Sequence, residues 1–307
     1  MQQGLSREKV VLRILHMVLV REFTDDDPKQ KRCLPYRYQQ FNIAFFDLDK
    51  ESKVEHGPLY RYRHGFNLRE LDESINVISI KVTESDVPYP INIYGTVLAR
   101  DQYDYRCVYL FKRGRDDPQL ISSPDDMLTL TGPYRALAGI SSMFFEFNLK
   151  IIKGEGRVDQ DFSKVELAYI PVISALEAFI GVNVFLDGKF DFMGKISAWT
   201  TQTEESKIIL YDSEAAGTRT TLGDDGAVFL TRRVVAVPHK EFLFIDVSVY
   251  DGNRESICHK FVRSNSFEEY CCKVGPNELE FHITWKQVRK RYPELCKYIS
   301  GTKVLWE

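Results

Sequence analysis

The sequence predicts an all-β protein built from two tandem, related antiparallel β-sandwich-like units, with a helix and an arm in front of them. Three observations predict it. Short apolar stretches with period two, separated by turn clusters such as SDVPYP and GRDDP, follow one another from residue 75 to residue 285. No helical period of useful length interrupts them, which argues for antiparallel sandwiches or barrels and against βαβ units. The chain also repeats itself: Gly194 is set against Gly95, Ile196 against Val97 and Ala198 against Ala99, and IILY at 208–211 answers VYLF at 108–111. Further on, Leu128, Leu130 and Thr131 meet Val228, Leu230 and Thr231, while Phe145, Phe147 and Leu149 meet Ile245, Val247 and Val249. Read as one constant spacing, 210 − 110 = 100 residues, this marks a duplicated structural unit.

Residues 1–73 are expected to form the helix and the wrapping arm. The helix, 5–23, has Ser6 placed to cap it and a narrow polar stripe of Lys9, Arg13 and His16; the rest is largely apolar, so the following domains or a partner chain must cover it. Asp25, Asp26, Asp27 and Pro28 end it. In the arm, Tyr36, Tyr38, Tyr60 and Tyr62 interleave with Arg37, Arg61 and Arg63. That mixture suits stacking on single-stranded RNA, and it equally suits an arm laid over a domain. The acidic neighbours Asp47, Asp49, Glu51, Glu70 and Asp72 favour the second reading.

The first β unit is assigned to 74–154, with strands at 75–82, 91–101, 106–113, 127–131 and 143–152. The second is assigned to 163–287, with strands at 165–172, 176–185, 192–200, 207–211, 227–237 and 242–250, and a closing ELEFHITW at 278–285 that echoes VELAYI at 165–170. Residues 288–307 form a C-terminal tail with a short helix at 294–299 and a basic knot of Lys286, Arg289, Lys290 and Arg291 before it. Gly95 and Gly194, each inside a strand, mark a bulge or a close backbone approach common to both units. Arg100, Asp101 and Asp104 are placed to pair at a strand end.

With 307 residues and a formal net charge of −3, the chain has room for two domains and lacks the basic field of a bulk nucleic-acid binder. Six cysteines, Cys33, Cys107, Cys258, Cys271, Cys272 and Cys296, have no zinc spacing and are too sparse for a disulfide framework. They read as reduced thiols of a cytoplasmic protein. Arg13 and His16 break the apolar run at 10–20, so neither a signal peptide nor a transmembrane segment is predicted.

No catalytic, cofactor-binding or metal-ligating residue is assigned. His16, His56, His64, His239, His259 and His282 stand singly, and GxSxG, GxGxxG and GxxxxGK[ST] are all missing. Glu268 and Glu269 beside Cys271 and Cys272 would raise a thiol pKa rather than activate it. The pairs Asp116–Asp117, Asp125–Asp126 and Asp224–Asp225 suit calcium at a sandwich rim. Turn formation explains them more cheaply.

The blocks INVISIKVTESD, YPINIYGTVLARDQYDYRCVYLFKR, LTLTGPYRAL, FFEFNLKI, GKISAWT, IILYDSEAAGT and LTRRVVAVP resemble those of a plant family, abundant in grasses, of uncharacterised domains. Some of its members are joined to, or set alongside, ribosome-inactivating proteins, the rRNA N-glycosylases. The resemblance covers 28–289; DFSKVELAYIPV looks shorter than its counterparts, as though the first unit had lost a strand. Those glycosylases use a Glu and an Arg three residues apart on one helix face. Here YDSEAAGTR sets Arg219 five residues after Glu214, off that face and in a turn, so no catalytic residue carries over. The function expected is a non-enzymatic protein-interaction module in a plant stress or defence setting, its partner unknown and met through the N-terminal helix, with ribosome association open. An rRNA N-glycosylase, or an accessory subunit to one, is the alternative.

Overall fold

The computed structural model describes most of 71–288, together with 24–27, 31–35, 49–54, 57, 59–60 and seven positions among the first eighteen residues (7, 10, 11, 14, 15, 17 and 18). Outside the description lie 102, 104, 140–142, 153–157, 160–161, 186–190, 202–203, 216, 252–253, 264–268, 275–276 and 289–307. The short helix expected at 294–299 falls there. In chain order the strands are β1 (Thr24–Asp27), β2 (Arg32–Pro35), β3 (Ser74–Ser85), β4 (Ile91–Arg100), β5 (Val108–Arg113), β6 (Gln119–Ile121), β7 (Leu137–Ala138), β8 (Phe144–Ile152) and β9 (Val158–Asp159). They continue as β10 (Phe162–Val172), β11 (Ala175–Phe185), β12 (Gly194–Thr200), β13 (Ile208–Asp212), β14 (Val234–Pro238), β15 (Phe242–Asp251), β16 (Arg254–Arg263), β17 (Glu269–Val274) and β18 (Asn277–Gln287).

Every pairing between these strands is antiparallel; β1 and β2 form a two-stranded sheet of their own, and the others make two sandwiches. The first sets the sheet β10-β3-β7 against β5-β4-β8-β9, with β6 on β4; the second sets β14-β11-β18-β17 against β13-β12-β15-β16. Alternation fills each core: Ile80 and Val82 of β3 meet Ile93 and Val97 of β4 in the first, and Ile180 and Val182 of β11 meet Ile196 and Ala198 of β12 in the second. The all-β, two-unit architecture expected from the sequence is the one observed.

Three details of the expected layout are corrected. The spacing between the copies is not constant: Gly95 faces Leu149 as Gly194 faces Val249, so β4 and β12 are 99 residues apart while β8 and β15 are 100 apart. One additional residue between β12 and β13 accounts for it. Residues 163–172, placed in the second unit, belong to β10, which pairs with β3 along the first. Leu167 faces Ile80 as Phe281 of β18 faces Val182, so the VELAYI and LEFHIT echo marks one structural position in the two units, and the first unit has not lost that strand. Finally, 127–131 and 227–233 are not strands. Their amides cross between sheets, Leu128 N–H donating to Ile80 O and Thr131 N–H to Leu110 O, with Val228 to Val182 O and Thr231 to Leu210 O in the second unit. Leu110 and Leu210 are the extra residues of matching bulges in β5 and β13, and each bulge carbonyl is the one that accepts the threonine amide.

Gly95 and Gly194 are required by close packing. A Cβ on Gly95, whose φ is +117°, would lie 2.0 Å from Asn148 O, and one on Gly194 would lie 2.2 Å from Ser248 O. Both carbonyls belong to the neighbouring strand at equivalent places, so any side chain would push the central pair of the sheet apart.

The two units meet over a small apolar cluster that includes Ala136, Ala138, Val172, Ala175, Val234 and Ala236. Its polar frame is wholly buried. Arg135 donates to both oxygens of Asp101 at 2.5 and 3.0 Å, and its Nη2 also reaches Ser52 Oγ at 3.2 Å. Asp101 in turn accepts from the amide of Ala138 at 2.9 Å, while Glu177 of β11 accepts from the amide of Ala136 at 2.8 Å. Asn76 of β3 caps the free edge of β14, donating to Ala236 O at 2.7 Å and accepting from Ala236 N–H at 2.9 Å. Edge strands present unpaired backbone groups, and here side chains from across the junction satisfy them. The expected partnership of Arg100 with Asp101 is corrected: Arg100 grips Glu146 with two bonds of 2.8 and 2.9 Å, and Asp101 turns to Arg135.

Two measurements check this frame. Asp101→Ala leaves the Arg135 guanidinium buried without its counter-ion and should destabilise by about 3–5 kcal/mol in equilibrium urea unfolding. Gly95→Ala and Gly194→Ala should each cost more than about 2 kcal/mol by the same assay, because the clash is with backbone.

Candidate functional site

A bulge in β3 shapes the space between the two sandwiches. Val77 faces Tyr169 and Ser79 faces Ala168, so Ile78 is an extra residue that no partner opposes. Val77 and Ile80 on either side of it both point into the first core, whereas Ile78 packs against the core of the second unit. Ile78 also lines a cleft of about 530 Å³ between the units. Leu120, Met127 and Ile209 contribute apolar wall, and Lys195, Arg232 and Glu214 bring charge. Beside it, the Arg113 guanidinium of the first unit lies so close to Gly217 that a Cβ there would sit 2.5 Å from it.

The charges of the cleft are arranged unequally. Lys195 pairs with Asp212 at 3.0 Å. Asp126 accepts from the amide of Ser122 at 2.7 Å and from the Ser123 hydroxyl at 2.9 Å, bonds that hold its carboxyl below the ordinary value. Glu214 is exposed. Arg232 is 3% exposed, donates from Nη2 to Val77 O across the junction at 2.7 Å, and has no hydrogen-bond partner at Nε among the described residues. Burial lowers the guanidinium to about 10. Such a cation is expensive to bury and is ordinarily paired.

The residues singled out by sequence go elsewhere. Glu214 sits in a turn, its amide bonded to Asp212, while Arg219 lies over the Phe229 ring at 3.9 Å, so the two do not form a shared site. Of the acidic pairs, Asp117 bonds Arg113 at 3.1 Å and Asp126 closes its own turn. Among the described residues no group of three His, Cys, Asp or Glu side chains is placed to hold a metal ion. His282 is half-buried on β18 beside Glu280 at 3.1 Å, and His259 pairs with Asp246, which Lys207 also reaches at 2.6 Å. His16, His56 and His64, like Asp104, Cys296, Tyr36, Tyr38, Tyr62 and the arm arginines, lie outside the described residues.

Tyr60 is 1% exposed and belongs to the core of the second unit, which removes it from any stacking surface. Its amide donates to Trp285 O at 2.8 Å and its hydroxyl bonds His239 Nε2 at 2.6 Å. Further back, Ser52 N–H donates to Cys107 O at 2.9 Å and Tyr134 donates to the carbonyls of Ser52 and Val54. The described part of the arm therefore straps the first unit to the second.

Near the N-terminus, Arg7, Val10, Val11, Ile14, Leu15, Met17 and Val18 are helical. The apolar six are 42–61% exposed, so the cover expected from the following domains is not supplied at these positions. No helix among the described residues is long and apolar enough to cross a membrane.

Sequence reasoning missed Arg232, Asn76 and Glu177. A signal for the first exists: Thr231 matches Thr131 by its bond to the bulge carbonyl, and the next residue is Arg232 in the second unit but Gly132 in the first. A charged residue opposite a glycine in a duplicated unit points to a role that one copy alone has. Asn76 and Glu177 interrupt apolar strands, and polar residues at such positions need partners that only the fold reveals.

The model of a family described as Domain of unknown function (DUF6598) matches residues 74–161 and again 155–283. Among curated proteins, none matches the chain. A solved structure titled "Structure of a C2 domain" aligns with 36% of this chain and 97% of its own length, at 11% identity and a TM-score of 0.22.

The His239 anchor makes the strap pH-sensitive. Burial, with Lys240 nearby, lowers its imidazole below 6.5, so the folded state binds fewer protons than the unfolded one once the pH falls beneath that value. Stability should drop as pH is lowered through 6.5 and the folded value, measured as the urea midpoint at successive pH values. In His239→Gln that drop should be smaller.

Proposed function

We propose that this chain, which belongs to the family described as Domain of unknown function (DUF6598), is a non-enzymatic protein-interaction module that offers its N-terminal helix to a partner protein. The observation that carries this reading is the apolar face of that helix. Val10, Ile14 and Met17 follow one another at i, i+4, i+7, and so do Val11, Leu15 and Val18, giving two adjacent stripes that are exposed throughout. A face of this spacing suits insertion into an apolar groove. Behind it stand two sandwiches fastened by the buried frame and the strap, which is the construction of a scaffold that keeps its shape when a partner docks. The resemblance to plant domains set alongside ribosome-inactivating proteins supports looking for that partner in a cytoplasmic stress or defence setting, with ribosomal proteins among those examined.

The test is affinity capture from nuclease-treated plant extract by the full chain and by an Ile14→Asp, Met17→Asp double variant. A defined protein should be retained by the first and reduced by at least about tenfold with the second, as burying two carboxylates in an apolar groove requires. Equal capture by both would remove the helix from the interface.

A further inference from the structure

We propose that the cleft between the two units is a binding site for a small monocarboxylate with an apolar body, its carboxylate pairing with Arg232. The argument begins with what Arg232 has and what it lacks. The residue that follows the matching threonine is Gly132 in the first unit, so the shared motif alone does not demand a side chain there. It is nearly inaccessible, yet among the described residues its side chain finds one neutral carbonyl, Val77 O, and no carboxylate, while Nε bonds nothing. The other charges of the cleft leave it in this state. Asp212 is taken by Lys195 and Asp126 by the Ser122–Ser123 turn, and Glu214 is turned to solvent.

The walls restrict the ligand further. A space of about 530 Å³ falls within the range of small-molecule pockets and excludes a folded partner. Ile78, Leu120, Met127 and Ile209 line it, and Leu120 and Met127 are 53% and 47% exposed, an apolar mouth that an aliphatic or aromatic body would cover. Glu214, Asp126 and Asp212 in the same lining work against a dianion such as phosphate and against polyanions. What suits an isolated deep guanidinium behind an apolar entrance is a single carboxylate, which the planar fork can hold through two hydrogen bonds.

Isothermal titration of the full chain tests this with octanoate and 4-phenylbutyrate, their neutral amides, and inorganic phosphate. The acids should saturate one site and bind at least about tenfold more tightly than the amides, the size expected of a hydrogen-bonded charge pair. Met127→Glu, at the half-exposed mouth, should lower acid affinity by a similar factor while leaving the melting temperature of the free protein within a degree or so. Arg232→Met, which removes a buried charge, should make acid and amide bind alike. Failure of either acid to saturate at millimolar concentration, equal binding of acid and amide by the native chain, phosphate binding as tight as the acids, or an unchanged affinity in Met127→Glu would each overturn the proposal.

Discussion

One buried ion pair, Asp101 with Arg135, holds the arrangement on which the rest of the molecule depends. Both side chains are essentially inaccessible, at 0% and 1% exposure, so the charges are tolerable only because they meet through two hydrogen bonds and because further bonds to Ala136 O, Ser52 and the Ala138 amide engage them. Asp101 follows β4 directly and also accepts the Ala138 amide, while Arg135 reaches Ser52 of the arm. Three separate stretches are thereby fixed at one point. The neighbouring Ala136 amide is held by Glu177 of the second unit, which carries the constraint across the junction. Because the pair is placed where the units meet, it sets their relation as well as the local loop, and the position of the cleft follows from that relation.

Duplication explains the frame, and divergence between the copies explains the places where chemistry collects. Both units keep the glycine pressed on a neighbouring carbonyl, the bulge with its outward carbonyl, and the crossing segment that closes the sandwich. The first unit alone has the bulge that frees Ile78; β11 runs through Ala178, Ile180, Val182 and Val184 in strict alternation with no such shift. Arg232 exists in the second unit alone. Arg232 bonds the carbonyl next to Ile78 and both residues line the cleft, so an extra residue in one copy and a cation in the other contribute to a space that both units enclose.

Much of the fold was legible because its signals are local. Period-two apolar runs located β3, β4, β5, β8, β11, β12, β13 and β15, and the repeat of Gly95 in Gly194 and of Leu128, Leu130 and Thr131 in Val228, Leu230 and Thr231 marked equivalent positions. The misreadings share a cause. Alternation in 127–131 is that of a strand, but its amides bond first one sheet and then the other, which periodicity does not distinguish. The site was less legible still. YDSEAAGTR attracted notice by its resemblance to a catalytic block, whereas Arg232, inside LTRRVVAVP, had no catalytic or binding motif around it and was visible only as the residue after Thr231 where Gly132 follows Thr131.

By itself the sequence determined the all-β class, most of the long strands, the duplication and the glycines that close packing demands, because alternation, turn chemistry and repetition are properties of neighbouring residues. The tertiary structure alone decided that β10 completes the first unit, that Asp101 meets Arg135 instead of Arg100, that Tyr60 is buried in the second core, and that Arg232 finds no counter-ion among the described residues. Each of these depends on residues far apart in the chain being brought together, and the energy of a buried charge is set by what surrounds it in space.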